Sequence, residues 1–531
     1  MTSTQTPYFR HGIASGDPLP GSAIIWTRVT PTAASTPGSG AGPTVSVTWQ
    51  LSTSTSFVSP LRQGTFSTGP QRDHTVKVDV SGLAPARTYY YRFLYRGSAS
   101  PVGRLKTAPA AAALPGRVRF GVVSCANLQA GWFSAYRHLA KRNDLDAILH
   151  LGDYVYEYGV GEYGYGKDNV DVRKHRPTHE MVSLADYRQR HAQYKQDADL
   201  QALHAKYAFI TTWDDHEVAN DRWKAGAENH NAGEGDFLAR QRAAYRAYDE
   251  WMPIRLSGTS ALGDGTRIYR RLAFGQLAEL TLLDLRTYRD EQVPATVPSP
   301  VGPTISPDLA DPDRTITGGP QMAFLKQSLD NERAQWKLVG NPVMIAPLNF
   351  ASLPVATRDA ISKVTGATVP EGAVVNADQW DGYTDDRQEV LSHILDQGVR
   401  DAVFLTGDIH SAWACDVPTD PATYPLVDTS VAVEFVCTSV TSNNLKDITG
   451  TPRRTTSVLV ESAIKTVNRH VKYLNFDDHG YSVFDVTPTR AQMDYYVIGD
   501  RKDPLAGSQW AASFQTLSGT GTVAAVSKPV A

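Results

Sequence analysis

Four times along this chain a short run of apolar, strand-favouring residues stops abruptly at side chains that bind protons or metal ions. VRFGVV precedes Ser124-Cys125-Ala126-Asn127, and LDAIL precedes a stretch containing His150, Gly152, Asp153, Tyr156 and Glu157. AFITT precedes Trp213-Asp214-Asp215-His216-Glu217, with Asn220 and Asp221 close behind, and AVFLT precedes Gly407-Asp408-Ile409-His410. Strand runs alternating with helical spacing indicate an α/β fold, and open α/β sheets bind ligands where loops leave the strand ends. The chemistry of the chain is therefore expected at strand ends of a layered domain.

Further strands are predicted at LAELTLLDLR, WKLVGNPVMI, AVEFVCTSV and YSVFDVTP, with helices over 184–205, 237–251, 321–331 and 379–396. The stretches 159–179 and 293–319 are expected to be long loops that line a site. Before residue 107 the pattern is different. SAIIWTRVT, VSVTWQLS, HTVKVDVSG and TYYYRFLYRG are short alternating strands between turn residues, the pattern of an all-β sandwich of fibronectin type III-like form. TAPAAAALPG suits a linker. The expected division is an N-terminal β-sandwich over 8–110, a catalytic domain over 116–500 with mixed β-sheets flanked by helices (α/β, α+β), and a C-terminal tail over 501–531 that would serve as a lid.

With 531 residues the chain has room for two to four cores, and a formal net charge of −3 gives it no global attraction for nucleic acid. There is no apolar stretch long enough to cross a membrane, and MTSTQTPYFRHG has no signal-peptide core. The chain is expected to be the mature form of a secreted, extracellular monomer.

Each strand-end cluster has an ordinary explanation when taken alone. Cys125 would be a packed core thiol, Asp153 an Asx-turn residue beside a core tyrosine, and Asp408 and His410 groups satisfied by backbone. The acidic run at 214–217 is harder to explain that way, because carboxylates collected at a strand end repel one another unless a cation offsets them. Together the clusters supply thiolate, phenolate, imidazole, carboxylate and amide. The softer donors suit ferric iron and the harder ones calcium, magnesium or manganese. A mixed centre follows, with iron on Cys125, Tyr156 and His410 and with Asp153 bridging to a harder ion.

The combination SCAN, GWFSAY, HLGDYVYEY, WDDHEVAN and LTGDIHSAW, behind an N-terminal region opening HGIASGDPLPGSAIIWTRV, closely resembles the PhoD-like alkaline phosphatases and the related secreted phospholipase D that lacks the HKD motif. The resemblance spans nearly the whole chain. It implies a calcineurin-like metallophosphatase fold with a Fe(3+) and Ca(2+) centre. Carried over, Cys125, Asp153, Tyr156 and His410 would hold iron, and Asp153, Asp215, Asn220 and Asp408 calcium.

The expected activity is phosphoester hydrolysis, as alkaline phosphatase or phospholipase D-type phosphodiesterase, by direct attack of a metal-activated hydroxide on phosphorus. His216 is the candidate acid for the leaving alcohol, oriented by Asp214 or Glu217. Asn127 and His470 are candidate substrate contacts, with Asn468 beside the latter. Arg188, Arg190 and His191 are read as an exposed charged helix face, with a phosphate contact as their alternative. Cys415 and Cys437 would either form a disulfide between neighbouring strands or stay reduced. A binding protein on a degenerate metallophosphatase fold is the alternative of another class, and an iron redox enzyme a third.

Overall fold

The computed structural model describes residues 8–255, 267–298, 304–348 and 376–531. Two large sheets, of ten and seven strands, carry the architecture. In the first, Val118–Val123, Ala147–Leu151, Ala208–Thr212 and Ile13–Gly16 run parallel. In the second, Ala278–Leu282, Trp336–Asn341, Ala402–Thr406 and Ser430–Val436 run parallel.

The sheets pack face to face. Alternation along a strand sends Ala147, Leu149 and Leu151 into a shared core with Leu282, Leu338, Val403 and Leu405, while Ile148 meets the helices on the other side. Both faces are thus buried, which is why these strands read as unbroken apolar runs rather than alternating ones. Helices Ser134–Lys141, Leu184–Tyr194, Ala198–Lys206 and Phe237–Trp251 cover the outer face of the ten-stranded sheet. Gly319–Leu329, Thr384–Asp396 and Thr456–Val467 cover the seven-stranded one. A parallel bridge between Ser124 and Ser439 draws the C-terminal ends of the two sheets together.

The N-terminal region is not a free-standing sandwich. Ile13–Gly16, Ser22–Arg28 and Thr75–Ser81 extend the ten-stranded sheet itself, Ile13–Gly16 lying parallel to Ala208–Thr212. The remaining strands form a separate five-stranded sheet whose Val47, Leu51, Tyr91 and Phe93 pack on Ile25, Val76 and Val80. One of the two layers of the sandwich is therefore shared with the catalytic domain, through the pairing of Ile13–Gly16 with Ala208–Thr212.

The tail is not a lid either. Ser508–Leu517 and Ala524–Val526 are the last strands of the same sheet, and Arg119 Nη1 donates to the Ala531 carbonyl at 2.7 Å. The predicted helix over 184–205 breaks in two, since Asp197 caps a new helix by accepting from Leu200 N–H at 2.9 Å. In the loop over 293–319, Thr296–Val297 pairs with Thr304–Ile305, while residues 299–303 lie outside the described residues. Among the described residues no helix is long and apolar enough to cross a membrane.

Candidate metal centre

All four motifs arrive at one place because each follows a parallel strand and the two sheets meet at that end. The turns off the strands are tight. Cys125, Asp153, Asp408 and His410 all hold left-handed backbone, with φ between 53° and 59°. Non-glycine residues in that region cost roughly 1–3 kcal/mol each and persist only where the surroundings enforce them. Gly152, at φ 112°, lets the chain pass Asp214, where an added Cβ would sit 2.6 Å from the Asp214 Cβ.

The softer half gathers around Tyr156. Its hydroxyl donates to Asp153 Oδ2 at 2.9 Å and lies 3.4 Å from His410 Nε2 and 2.6 Å from Ser442 Oγ. His410 Nδ1 donates to the Asn443 carbonyl at 2.8 Å, which leaves the Nε2 lone pair facing the cluster. Cys125, Asp153 and His410 each offer one ligand atom, all within 4.8 Å of one another. By the same measure Asp153 groups with Asp215 and His216, and also with Asp214, Asp215 and Asp408. Asp153 is the member common to every group.

Electrostatics test whether cations fit these donors. Burial, with Asp215 and Asp214 beyond it, pushes the Asp153 carboxyl well above the usual range; burial and Asp214 do the same to Asp408. Burial, then Asp153, raises the thiol of Cys125 and the phenol of Tyr156, and burial brings His410 down to about 4. Asp153 Oδ1 and Asp214 Oδ2 are buried with no hydrogen-bond partner. Without a cation, acidic donors in this arrangement retain protons; a cation releases those protons and satisfies the orphaned oxygens. The donors present fit a mixed pair of ions.

His216 departs from its expected support. Its Nδ1 bonds Glu157 Oε2 at 2.7 Å, not Asp214 or Glu217, and its ring lies 4.2 Å from that of Tyr156, centroid to centroid. Burial works against its positive charge, but Asp215, Glu157 and Asp153 outweigh that and hold its pKa well above that of a free imidazole. Asp214 is taken by Arg286 Nε, and Glu217 accepts from the backbone N–H groups of Tyr154 and Asp214 at 2.6 and 2.8 Å. Both are too committed to the backbone and to Arg286 to orient His216.

The other expected residues separate. Asp215 and Asp408 lie in the acidic half, where Gln379 Nε2 donates to Asp408 Oδ2. Asn220 turns its amide nitrogen to Glu228 at 3.1 Å, leaving only its oxygen for a cation. Asn127 is spent on structure, donating to the Tyr163 carbonyl at 2.6 Å and accepting from Gln129 N–H at 2.9 Å. His470 is buried with Nε2 on the Pro347 carbonyl at 2.6 Å, and the Asn468 amide bonds the Ile464 carbonyl at 3.0 Å; both stabilise local backbone.

The helix of Arg188, Arg190 and His191 is not an exposed charged face: all three are buried. Arg188 pairs with Glu250 at 2.7 Å, and Arg190 donates to the carbonyl of Tyr156, the residue at the heart of the softer half. Cys415 and Cys437 are free thiols. Cys415 sits opposite Glu434, three positions from Cys437, and the two side chains enter different cores, so no bridge can form.

Sequence reading placed Glu157 in the second cluster without a role, and missed Arg286, Asp378, Ser442 and Asn443. Arg286 and Arg289 follow the apolar run LTLL, so a search of strand ends for cations as well as acids finds them. Ser442 and Asn443 act through short neutral contacts that leave no such mark.

The PhoD-like phosphatase family model matches residues 120–495, and the model of the N-terminal domain of PhoD-like phosphatases matches residues 1–109. The chain belongs to the PhoD-like phosphatase family. It is 36% identical over 512 residues to alkaline phosphatase D of Bacillus subtilis (strain 168), an alignment covering 95% of this chain and 80% of the relative. A solved structure described as "Structure of PhoD" matches with a TM-score of 0.85 at 33% identity, over 100% of this chain and 94% of that one. The layered fold expected from the motifs is thereby established, and its strand-end residues form groups able to hold metal ions.

Proposed function

We propose that this PhoD-like chain is a phosphatase that hydrolyses phosphate esters at a centre of Fe(3+), held by Cys125, Asp153, Tyr156 and His410, and Ca(2+), held by Asp153, Asp215, Asp408 and the Asn220 amide oxygen. The observation that supports this is the position of Asp153, common to a thiol–imidazole group and to a purely acidic one. One carboxylate shared by unlike donor sets suits two unlike cations side by side. When bound, such ions supply an activated water as nucleophile and neutralise the charge that grows on the phosphoryl oxygens.

The chain's own groups do the rest. His216, held between Glu157 and the acidic half, gives its proton to the departing alcohol; Glu157, at 2.7 Å, fixes the ring. Tyr158 and Tyr163, with ring centroids 5.5 and 6.2 Å from that of His216, wall the side from which the alcohol leaves. That aromatic wall favours a second reading, phosphodiester cleavage of phospholipase D type, in which it holds the larger leaving group.

The test strips the purified protein with a strong chelator, restores iron and calcium singly and together, and assays a chromogenic monoester and a chromogenic diester. Turnover is expected to return only with metal, and the ratio of the two rates separates the two readings. No turnover with either substrate under any metal condition would sink the hydrolase reading and leave the degenerate binding protein and the iron redox enzyme.

A further inference from the structure

The loop over 159–179 carries two tyrosines in different surroundings. The Tyr163 ring stacks on that of Tyr156, 5.8 Å from centroid to centroid, and lies 6.2 Å from that of His216. Tyr165 meets cations instead, with the Arg501 guanidinium 4.5 Å and the Lys502 ammonium 4.6 Å from its ring centroid. Just beyond it the chain doubles back, Tyr165 and Val170 exchanging backbone hydrogen bonds at 2.8 and 3.0 Å.

This part of the loop is fastened by polar groups. No residue from 159 to 170 enters a hydrophobic core among the described residues, and Tyr165 borders two cavities of about 570 and 450 Å³. Asn443 brackets Tyr165: its Nδ2 donates to the Gly164 carbonyl at 2.9 Å, and its Oδ1 accepts from Gly166 N–H at 2.9 Å. Asn127 Nδ2 holds the Tyr163 carbonyl. Arg501 is buried, bonds the Thr441 carbonyl, lies 3.1 Å from Asp447 Oδ2, and donates from Nη2 to the same Asn443 Oδ1. A loop without apolar anchors relaxes once such contacts go, because little else offsets the entropy lost in ordering it.

A fastening that only covered the surface would fall anywhere along the loop. Between Gly161 and Val170, the side chains among the described residues that bond its backbone from outside reach only Tyr163, Gly164 and Gly166. Those positions surround the one ring of this stretch that lies beside His216.

We propose that Tyr165, Asn443 and Arg501 are positioning residues that set the leaving-group preference: by fixing 163–166 they hold the Tyr163 ring where an aromatic or bulky apolar alcohol departs. This rests on the aromatic wall described above and assigns its selectivity to groups that do not touch substrate. The segment after residue 500 thereby reaches the site through a neighbour, by way of Arg501 and Lys502 on Tyr165.

Steady-state kinetics of the metal-loaded, full-length protein on naphthyl phosphate and methyl phosphate test this. Tyr165→Leu removes the ring that the two cations cover. It is expected to raise KM for the naphthyl ester about three- to tenfold, the effect of releasing one ordered side chain and its loop, with kcat and KM for methyl phosphate unchanged. Tyr165→Phe keeps the ring and should behave as the wild type. In a Tyr163→Ala background the loss from Tyr165→Leu should vanish, because one residue acts through the other. An unchanged KM, equal changes for both esters, or a loss that persists without Tyr163 overturns the proposal. If Tyr165→Leu does not fold, Lys502→Gln at the half-exposed cation decides: KM for the naphthyl ester raised about twofold supports the proposal, and an unchanged value refutes it. A wild type that turns over neither ester sinks the hydrolase reading instead, and is distinguishable from all of these results.

Discussion

The two halves of the centre are built by different means. Cys125, Tyr156 and His410 are held by the backbone and by neutral partners: left-handed turns, the Asn443 carbonyl and the Ser442 hydroxyl. Asp214, Asp215 and Asp408 are held by charge, through Arg286. A neutral scaffold fixes direction, because hydrogen bonds are directional, whereas ion pairs fix charge balance and tolerate shifts in geometry. The softer half is thus specialised for one coordination geometry and the harder half for one total charge.

Substituting the residue that joins them should have the largest effect. Asp153→Asn removes a donor from both halves, so both metals should fall in stoichiometry and kcat/KM should drop by at least ~10³-fold, the scale expected when electrostatic stabilisation of the transition state is lost. Retention of one metal at full occupancy would show the halves to be independent. His216→Gln comes next, with a loss of about 10²–10⁴-fold for alkyl phosphates and much less for a nitrophenyl ester, whose leaving group needs no acid. Equal losses on both substrates would remove His216 from that role.

Ser442→Ala tests the neutral scaffold alone. Iron affinity or activity should fall by about 10–100-fold, as for other groups that support a ligand from behind, with calcium unchanged. A change in calcium affinity would break the contrast between the halves.

The smallest effect concerns stability of the metal-free protein. Burial brings Glu217 to about 7, and burial with Asp378 and Asp215 brings Asp221 to about 7. Their unfolded values lie near 4. Because the folded state holds these protons more tightly, the stabilisation is complete below about pH 4 and is lost as pH rises toward about 7. Thermal melts of the chelated protein should therefore fall across that window, and added calcium should flatten the decline.

Much of this was legible in the sequence. Residues 147–151 and 208–212 announce buried strands by composition alone, and the motif after each places Asp153 and Asp215 at a strand end. What stayed hidden depends on chain crossing. Nothing local says that Ile13–Gly16 joins the catalytic sheet, since its partner lies at Ala208–Thr212. His216 carries acids on both sides in sequence, yet its support is Glu157, fifty-nine positions away. Cys415 and Cys437 are on neighbouring strands as expected, and only the register reveals that they occupy opposite faces.

The strand that delivers Cys125 pairs on one side with Ala147–Leu151, its near neighbour in sequence, and on the other with Gly480–Val486, where Val122 meets Ser482. During synthesis that second edge stays open until almost the whole chain has been made. Contacts so distant in sequence form slowly. A chain interrupted before residue 480 would carry Cys125, Asp153 and Asp408 yet lack the strand that closes the sheet beside them.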